Sequence, residues 1–305
     1  MKKNLKKRVW EVLFYLILTA FTAYVALDTF VITHVYQSVK SESNTTTAKA
    51  ATISSMSTSS LSATSAEDSY SDGNITIKIT EEHVDDTTVY VADVTLASAD
   101  SLKTAFAQNA YGQNLTETTS ETASENNAIL AINGDYYGAQ RSGYVLRNGI
   151  LYRDTAEEKQ EDLVIGTDGS FKIINESDVP ASELLEDGAE QILSFGPGLV
   201  SNGNVTVTEG EEVGKAKASN PRTAIGIIDD LHYVFVVSDG RTNESTGLSL
   251  YQLAEFMDGL GVETAYNLDG GGSSTMYFKG TVINNPTTGG GKISERKVSD
   301  IVYIG

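Results

Sequence analysis

Four segments of this sequence share one form: an apolar run that could be a strand, ending in a polar, glycine-rich turn. Binding and catalytic groups are often held on loops at the ends of rigid strands. The least ordinary of the four is Asn267-Leu268-Asp269-Gly270-Gly271-Gly272-Ser273-Ser274-Thr275. Consecutive glycines leave backbone N–H groups uncovered, so this turn could form a nest for an anion and let a ligand approach the main chain. Asp269 sits at its mouth. The second segment is Asn220-Pro221-Arg222-Thr223-Ala224. The residue before proline is forced extended, so Arg222 enters the next strand at a fixed angle, and its guanidinium could hold a phosphate through paired hydrogen bonds. The third, Val236-Val237-Ser238-Asp239-Gly240-Arg241, sends a carboxylate and a guanidinium from one strand end. The fourth, Ala131-Ile132-Asn133-Gly134-Asp135-Tyr136-Tyr137-Gly138, offers an amide, a carboxylate and two aromatics that could stack on a sugar. Plainer readings exist for three of them. Asn-Gly and Asp are ordinary turn residues, and an exposed arginine pairs easily with a carboxylate at little gain in stability. The glycine run resists such a reading, because a flexible loop would not normally lie between two well-formed strand signals.

Several other chemistries are excluded. There is no cysteine, hence no disulfide, zinc–thiolate site or cysteine nucleophile. His34, His83 and His232 are isolated and give neither a triad nor a histidine metal site. The glycine run lacks the lysine of a nucleotide-binding phosphate loop, and no G-x-S-x-G elbow occurs. Ser294-Glu295-Arg296-Lys297 fits S-x-x-K but precedes a strand instead of opening a helix. Carboxylates, arginines, amides and glycine backbone are what remain.

The elements that must position these groups are mixed. Ile75, Ile77 and Ile79 alternate with polar residues as a half-buried strand, and Val89–Leu96 comes next as a second. Ser101–Gln108 and Thr118–Asn126 read as helical, and Ala128–Ile132 as a short apolar run. Hairpins are expected to turn at 147–149, 167–169 and 229–230. Ser249–Leu260 carries Leu250, Leu253, Ala254, Met257 and Leu260 on one helical stripe. Strands near Thr275–Phe278 and Val298–Ile304 finish the chain. The expectation is an α+β domain with a mixed, largely antiparallel sheet and flanking helices.

The N-terminus differs in kind. Lys2, Lys3, Lys6, Lys7, Arg8 and Lys40 against Glu11 and Asp28 give residues 1–40 a charge of +4, leaving −23 on residues 41–305 of a chain whose total is −19. A domain so acidic has no general basic face for nucleic acid. Val12–Leu27 is free of charge, and Val12–Thr33 supplies 22 residues where one span needs roughly 20. The basic flank stays cytoplasmic and sends the C-terminal part outward. No small-x-small cleavage site closes the apolar run, and Ala48-Lys49-Ala50, which has that form, lies well past it, which favours an uncleaved anchor over a signal peptide. Fifteen Ser or Thr among residues 41–66 read as a flexible stalk. The chain then divides into a basic tail (1–11), a transmembrane signal-anchor (12–35), a Ser/Thr-rich linker (36–72) and a domain (73–305). That is a single-pass membrane protein with its domain outside, as in a Gram-positive cell.

AINGDYYG (131–138), SFGPGLV (194–200), NPRTAIG (220–226), SDGR (238–241), NLDGGGSSTM (267–276) and ERKVSD (295–300) together resemble, in order, the phosphodiester glycosidase family, which includes exopolysaccharide-related bacterial proteins. The resemblance covers roughly residues 75–305 and implies release of a sugar from a sugar-1-phosphodiester, with a glycan or phosphoglycan as partner. A phosphate leaving group needs charge stabilisation more than strong general-acid help. Arg222, Arg241 and Arg296 with the N–H groups of Gly270, Gly271 and Gly272 are the candidates to hold it. Asn133, Tyr136 and Ser273 are candidate substrate contacts. Asp269 is the first choice of base or nucleophile, with Asp135, Asp239 and Glu295 as alternatives. No cofactor is implied. The Asp cluster leaves a Ca²⁺ or Mg²⁺ ion open, though without EF-hand spacing. A non-catalytic wall-glycan-binding module would use Tyr136 and Tyr137 but no positioned carboxylate, and a surface structural module would have no convergent cleft at all. Because the domain would repel an anionic polymer, the enzyme reading requires the arginines to converge on one cleft.

Overall fold

The computed structural model describes residues 2–39, 68–210, 219–288 and 291–305, so the Ser/Thr-rich stretch 41–66 falls outside the described residues. Helix α1 spans Lys2–Phe30, and its part Val9–Phe30 is long and apolar enough to cross a membrane, with none of it buried in the protein. Strands β1 (His34–Ser38) and β2 (Ser69–Ser71) flank the undescribed stretch. Next come β3 (Ile75–Val84), β4 (Thr87–Leu96), β5 (Leu102–Phe106), β6 (Ala110–Gln113), helix α2 (Thr119–Glu125) and β7 (Leu130–Asn133). After these stand β8 (Val145–Arg147), β9 (Ile150–Arg153), β10 (Glu161–Gly166), β11 (Phe171–Asn175), helix α3 (Ala181–Glu186), β12 (Ala189–Ser194), β13 (Gly198–Ser201) and β14 (Asn204–Val205). The last part holds β15 (Arg222–Asp229), β16 (His232–Ser238), helix α4 (Leu250–Gly259), β17 (Thr264–Leu268), β18 (Met276–Phe278), β19 (Thr281–Val282), β20 (Thr287–Thr288), β21 (Lys292–Ile293) and β22 (Asp300–Ile304).

Three sheets share one core, and all their pairings are antiparallel. An eight-stranded sheet runs β14-β13-β17-β15-β16-β4-β3-β2, and two five-stranded sheets run β11-β10-β12-β8-β9 and β19-β18-β7-β22-β5. Ile77, Val94, Ile225, Phe235 and Leu268 of the large sheet meet Leu130, Ile132, Val302, Leu163 and Leu193 of the other two. The opposite face of the large sheet is covered by α4, whose Leu250, Leu253, Ala254 and Met257 pack on Val91, Ala224, Val234 and Val236. Ser249 and Gln252 close the N-terminus of α4 as a capping box. The fold is thus mainly antiparallel sheet with few helices, as the α+β expectation has it.

Two segments differ from expectation. Ser101–Gln108 holds strand β5 instead of a helix. Leu102, Thr104 and Phe106 alternate with less buried neighbours, and the strand completes its ladder against β22, from Asp300↔Phe106 to Ile304↔Leu102. That partner lies nearly 200 residues away and is invisible to local pattern. The stretch 36–72, read as a linker, begins and ends in strand: β1 pairs with β6 and β2 with β3.

Charge as well as apolar contact joins the sheets. Arg147 at the end of β8 is 2 % exposed and donates to Asp135 (2.7 Å), just past β7, and to Asp300 (2.8 Å), the first residue of β22. Asp135 also accepts from the Ser194 N–H at the end of β12. Burial and the neighbouring Asp135 push the Asp300 carboxyl up against the pull of Arg147. Nearby Asp162 is pushed up to about 10 by burial and by Glu176.

These groups make two outcomes measurable. Arg147→Met leaves two buried carboxylates without their cation and is expected to destabilise the domain by about 3–5 kcal/mol in urea denaturation; a loss below about 1 kcal/mol would refute the role given to Arg147. Carboxyls of the unfolded chain ionise near pH 4, whereas folded Asp162 keeps its proton to about pH 10. The folded state therefore binds the extra proton across that interval, and stability falls as pH rises through it. Asp162→Asn is expected to flatten the decline in denaturation midpoint between pH 5 and 9, and an unaltered slope contradicts the assignment.

Candidate functional site

Antiparallel register brings four strand ends together. Thr223 of β15 pairs with Leu268 of β17, and Arg222 pairs with Ser238 of β16, so the start of β15 lies beside the ends of β17 and β16. The end of β7 is tied to the same place by Asn133. Its buried amide accepts from Thr223 Oγ1 (2.8 Å) and from the Thr275 N–H (3.3 Å), and donates to the Asp269 carbonyl (2.6 Å). The Asp269 N–H donates back to the Gly134 carbonyl at 3.2 Å. The four segments singled out in the sequence are therefore neighbours in space.

The glycine loop is bent inward by its surroundings. The Gly271 N–H donates to the Pro221 carbonyl at 2.8 Å. A β-carbon on Gly270 would lie 2.9 Å from that same carbonyl oxygen, and one on Gly271 would lie 2.7 Å from Arg241 Nη2. Gly271 also adopts φ +63°, which a side chain disfavours. The loop needs glycine because backbone presses on one side of it and a guanidinium on the other.

Asp269 lies beneath the mouth of this loop. Its Oδ2 accepts from Ser273 Oγ (2.6 Å) and Arg296 Nη2 (2.9 Å). Arg296 also donates to Ser273 Oγ through Nε (2.9 Å) and Nη2 (2.6 Å), closing a triangle. The arginine is 45 % exposed while the carboxylate is 12 % exposed, so a cation stands at the rim over a sheltered anion. Burial pushes the Asp269 carboxyl up, and Arg296, Ser273 and the Gly270 amide pull it back only in part.

Arg241 donates to Asn220 Oδ1 at 2.9 Å and borders Gly271, while the β-carbon of Arg296 approaches Gly272. Two guanidinium-bearing residues thus flank the glycine turn. Arg222 frames it differently. Its Cα stands beside Gly270, but its side chain is buried and its Nε donates to the Leu248 carbonyl at 2.9 Å.

The other candidates lie elsewhere or are engaged. Asp239 is buried and accepts from Asn285 N (2.8 Å), Asn285 Nδ2 (3.1 Å) and Asn284 Nδ2 (3.2 Å), fixing the segment after β19. Asp135 is inside the Arg147 network. Glu295 accepts from the Ser120 N–H (3.0 Å) and hydroxyl (2.6 Å) in the first turn of α2. Tyr136 is 45 % exposed at φ +77°, on the loop after Asp135, while Tyr137 is buried. Among the described residues no group of three or more His, Asp or Glu is arranged to hold a metal ion. Sequence reasoning missed the Asn220, Asn284 and Asn285 amides and the Arg147–Asp300 pair. Asn220 and Asp300 stand inside quoted motifs, and Asn284-Asn285 precede a proline, a turn signal that carries no hint of its partner.

A sequence model described as Phosphodiester glycosidase matches residues 126–305. The SPbeta prophage-derived uncharacterized protein YomE of Bacillus subtilis (strain 168) is 29 % identical over 199 residues, which span 64 % of this chain and 30 % of that protein. The N-acetylglucosamine-1-phosphodiester alpha-N-acetylglucosaminidase of Mus musculus is 28 % identical over 189 residues, 56 % of this chain and 35 % of that protein. The chain thus spans about a third of the length of these relatives. The zebrafish N-acetylglucosamine-1-phosphodiester alpha-N-acetylglucosaminidase catalytic domain, solved in a form auto-inhibited by its pro-peptide, shares the fold with a TM-score of 0.61 and 23 % identity, over 75 % of this chain and 82 % of that one.

The opposed influences on Asp269 can be separated. Arg296→Gln removes the cation that holds the carboxyl down while leaving burial in place. The Asp269 titration, followed by carboxyl ¹³C chemical shift, is expected to move to higher pH, and an unmoved titration would refute the pairing.

Proposed function

This chain belongs to the phosphodiester glycosidase family, and from that membership we propose that its domain hydrolyses the bond between a sugar and phosphate in a sugar-1-phosphodiester of the cell envelope. The observation that carries the reading is the sheltered Asp269 carboxylate beside a glycine turn flanked by Arg241 and Arg296. In the reaction the phosphate lies over Gly271 and Gly272 between the two arginines, with the sugar on the side of Asp269. The bond from the anomeric carbon to the phosphate oxygen breaks, and its electron pair leaves on the phosphomonoester. The guanidinium groups stabilise that charge as it develops, whereas the Gly271 and Gly270 N–H groups expected to share the task are already engaged, with the Pro221 carbonyl and the Asp269 carboxyl. Asp269 serves as base for water or as nucleophile at the anomeric carbon. Its affinity for a proton, raised by burial, suits the first role. Ser273 and Arg296 fix its orientation, and exposed Tyr136 supplies an aromatic face for sugar.

The apolar N-terminal helix serves, in this reading, as an uncleaved anchor holding the domain outside the membrane. Support comes from the segment just beyond its C-terminal end. Asn114 donates to the carbonyls of Thr29 (3.2 Å) and Ile32 (3.0 Å), and β1 pairs with β6, so cleavage at residues 48–50 would strip a strand from the folded domain. An anchored domain acts on what lies outside the membrane, which points to an envelope glycopolymer or exopolysaccharide.

The test is incubation of the full chain with a panel of sugar-1-phosphodiesters and extracted wall polymers, scoring free sugar and phosphomonoester together. Wild type is expected to release both in equal amounts, and Asp269→Asn to lower kcat by at least about a thousandfold. Polymer binding without turnover by the wild type would replace the enzyme reading with that of a glycan-binding module.

A further inference from the structure

We propose that the protein carries a second ligand site, for a phosphodiester group, in the cavity where the N-terminal helix joins the domain. The cavity offers about 400 Å³ and is open to solvent on one side, and Tyr36, Tyr111, Tyr137, His34, Arg141 and Arg153 are among the residues that line it. It shares no residue with the cleft at Asp269.

Two buried donors mark it as a binding site. Tyr137 is 1 % exposed, and its phenolic O–H finds no acceptor among the described residues, the oxygen itself facing the Gly112 N–H. Nη2 of Arg153 likewise finds no acceptor among them. The rest of that guanidinium is fixed: Nη1 donates to the carbonyls of Tyr137 (3.2 Å) and Gln140 (2.8 Å), and Nε to that of Gly143. A buried donor without an acceptor is unfavourable, and two such donors, closed off just behind the wall of one cavity, gain from an acceptor brought in by a guest. Arg141, exposed at the rim with Nη2 3.4 Å from Thr29 Oγ1, adds a second guanidinium. The cavity's carboxylate, Asp28, lies 3.3 Å from His34 Nε2 and is paired with that ring.

The walls are aromatic. Tyr111 stacks on Tyr137 with centroids 5.5 Å apart, and Tyr36 packs on Tyr111 at 5.8 Å. Guanidinium donors beside tyrosine walls suit a phosphodiester carrying glycerol or sugar. The cavity also sits at a particular level. Asp28 and His34 bracket the end of α1, and Val31, Val35 and Tyr36 nearby are exposed. Resting on the reading of α1 as an uncleaved span, this places the cavity at the headgroup layer, where a phospholipid could supply the diester.

The experiment uses the full chain carrying Asp269→Asn, which suppresses turnover at the other cleft. In detergent, calorimetric titration with glycerophosphoglycerol is expected to show a saturable component that Arg141→Gln or Tyr36→Ala weakens by about tenfold, while inorganic phosphate competes only weakly. Arg141 and Tyr36 are surface residues, so loss of folding does not confuse the result. No component sensitive to either substitution overturns the site. In nanodiscs, phosphatidylglycerol is expected to block the soluble diester, whereas a phosphate-free galactolipid leaves it binding. Equal binding in both discs rejects the lipid as source and leaves a soluble diester as the ligand. Intact mass of the purified chain reports separately whether α1 is retained, and turnover by Asp269-intact protein reports on the glycosidase reading.

Discussion

The arrangement of the cleft depends on the side-chain amide of Asn133. It is fully buried and sits where two sheets meet, with Thr223 of β15, the backbone of Thr275 and the carbonyl of Asp269 as its partners. No apolar side chain could replace it, because each partner would then be a buried polar group left unpaired, at about 1–3 kcal/mol apiece. An amide suits the place because it both donates and accepts. The glycine turn can therefore be flexible in composition and still fixed in position. Its two ends are pinned by one buried group and its middle by the Pro221 carbonyl.

Electrostatics shows a division of labour. The domain is strongly acidic, yet its carboxylates are handled in two ways. Those at the sheet junctions are buried with Arg147, as Asp135 and Asp300 are, or hold a proton, as Asp162 does. Asp269 instead stands under an exposed guanidinium, with Arg241 across the glycine turn. A local cluster of arginine in an acidic surface favours a phosphate at short range, even where the long-range field opposes it. The proposed chemistry needs that locality, since the charge to be stabilised appears on the departing phosphate oxygen.

Much of this was legible in the sequence, for a physical reason. Strand-end turns carry their signal locally, in Asn-Gly, Asp and consecutive glycine, so the segments at 131–138, 220–224, 236–241 and 267–275 could be picked out one by one. Their convergence could be required by the charge argument but not located, because register between β15 and β17 is a long-range property. Ser101–Gln108 misled because a five-residue strand has little periodicity of its own and takes its form from β22. The buried role of Asp135 was hidden likewise, since its partners Arg147 and Asp300 sit on other strands. β1 was concealed inside the end of an apolar anchor and the start of a low-complexity stretch, and its pairing with β6 is a long-range property.

The central claim is that the bond broken joins phosphate oxygen to the anomeric carbon, and not to phosphorus. Hydrolysis of a sugar-1-phosphodiester in ¹⁸O-labelled water separates the two by mass spectrometry of the products. The account predicts one ¹⁸O in the released sugar and none in the phosphomonoester when the products are analysed before ring-opening exchange. Label in the phosphate, with an unlabelled sugar, would mean attack at phosphorus and would contradict the role given to Asp269 and the arginines around the glycine turn.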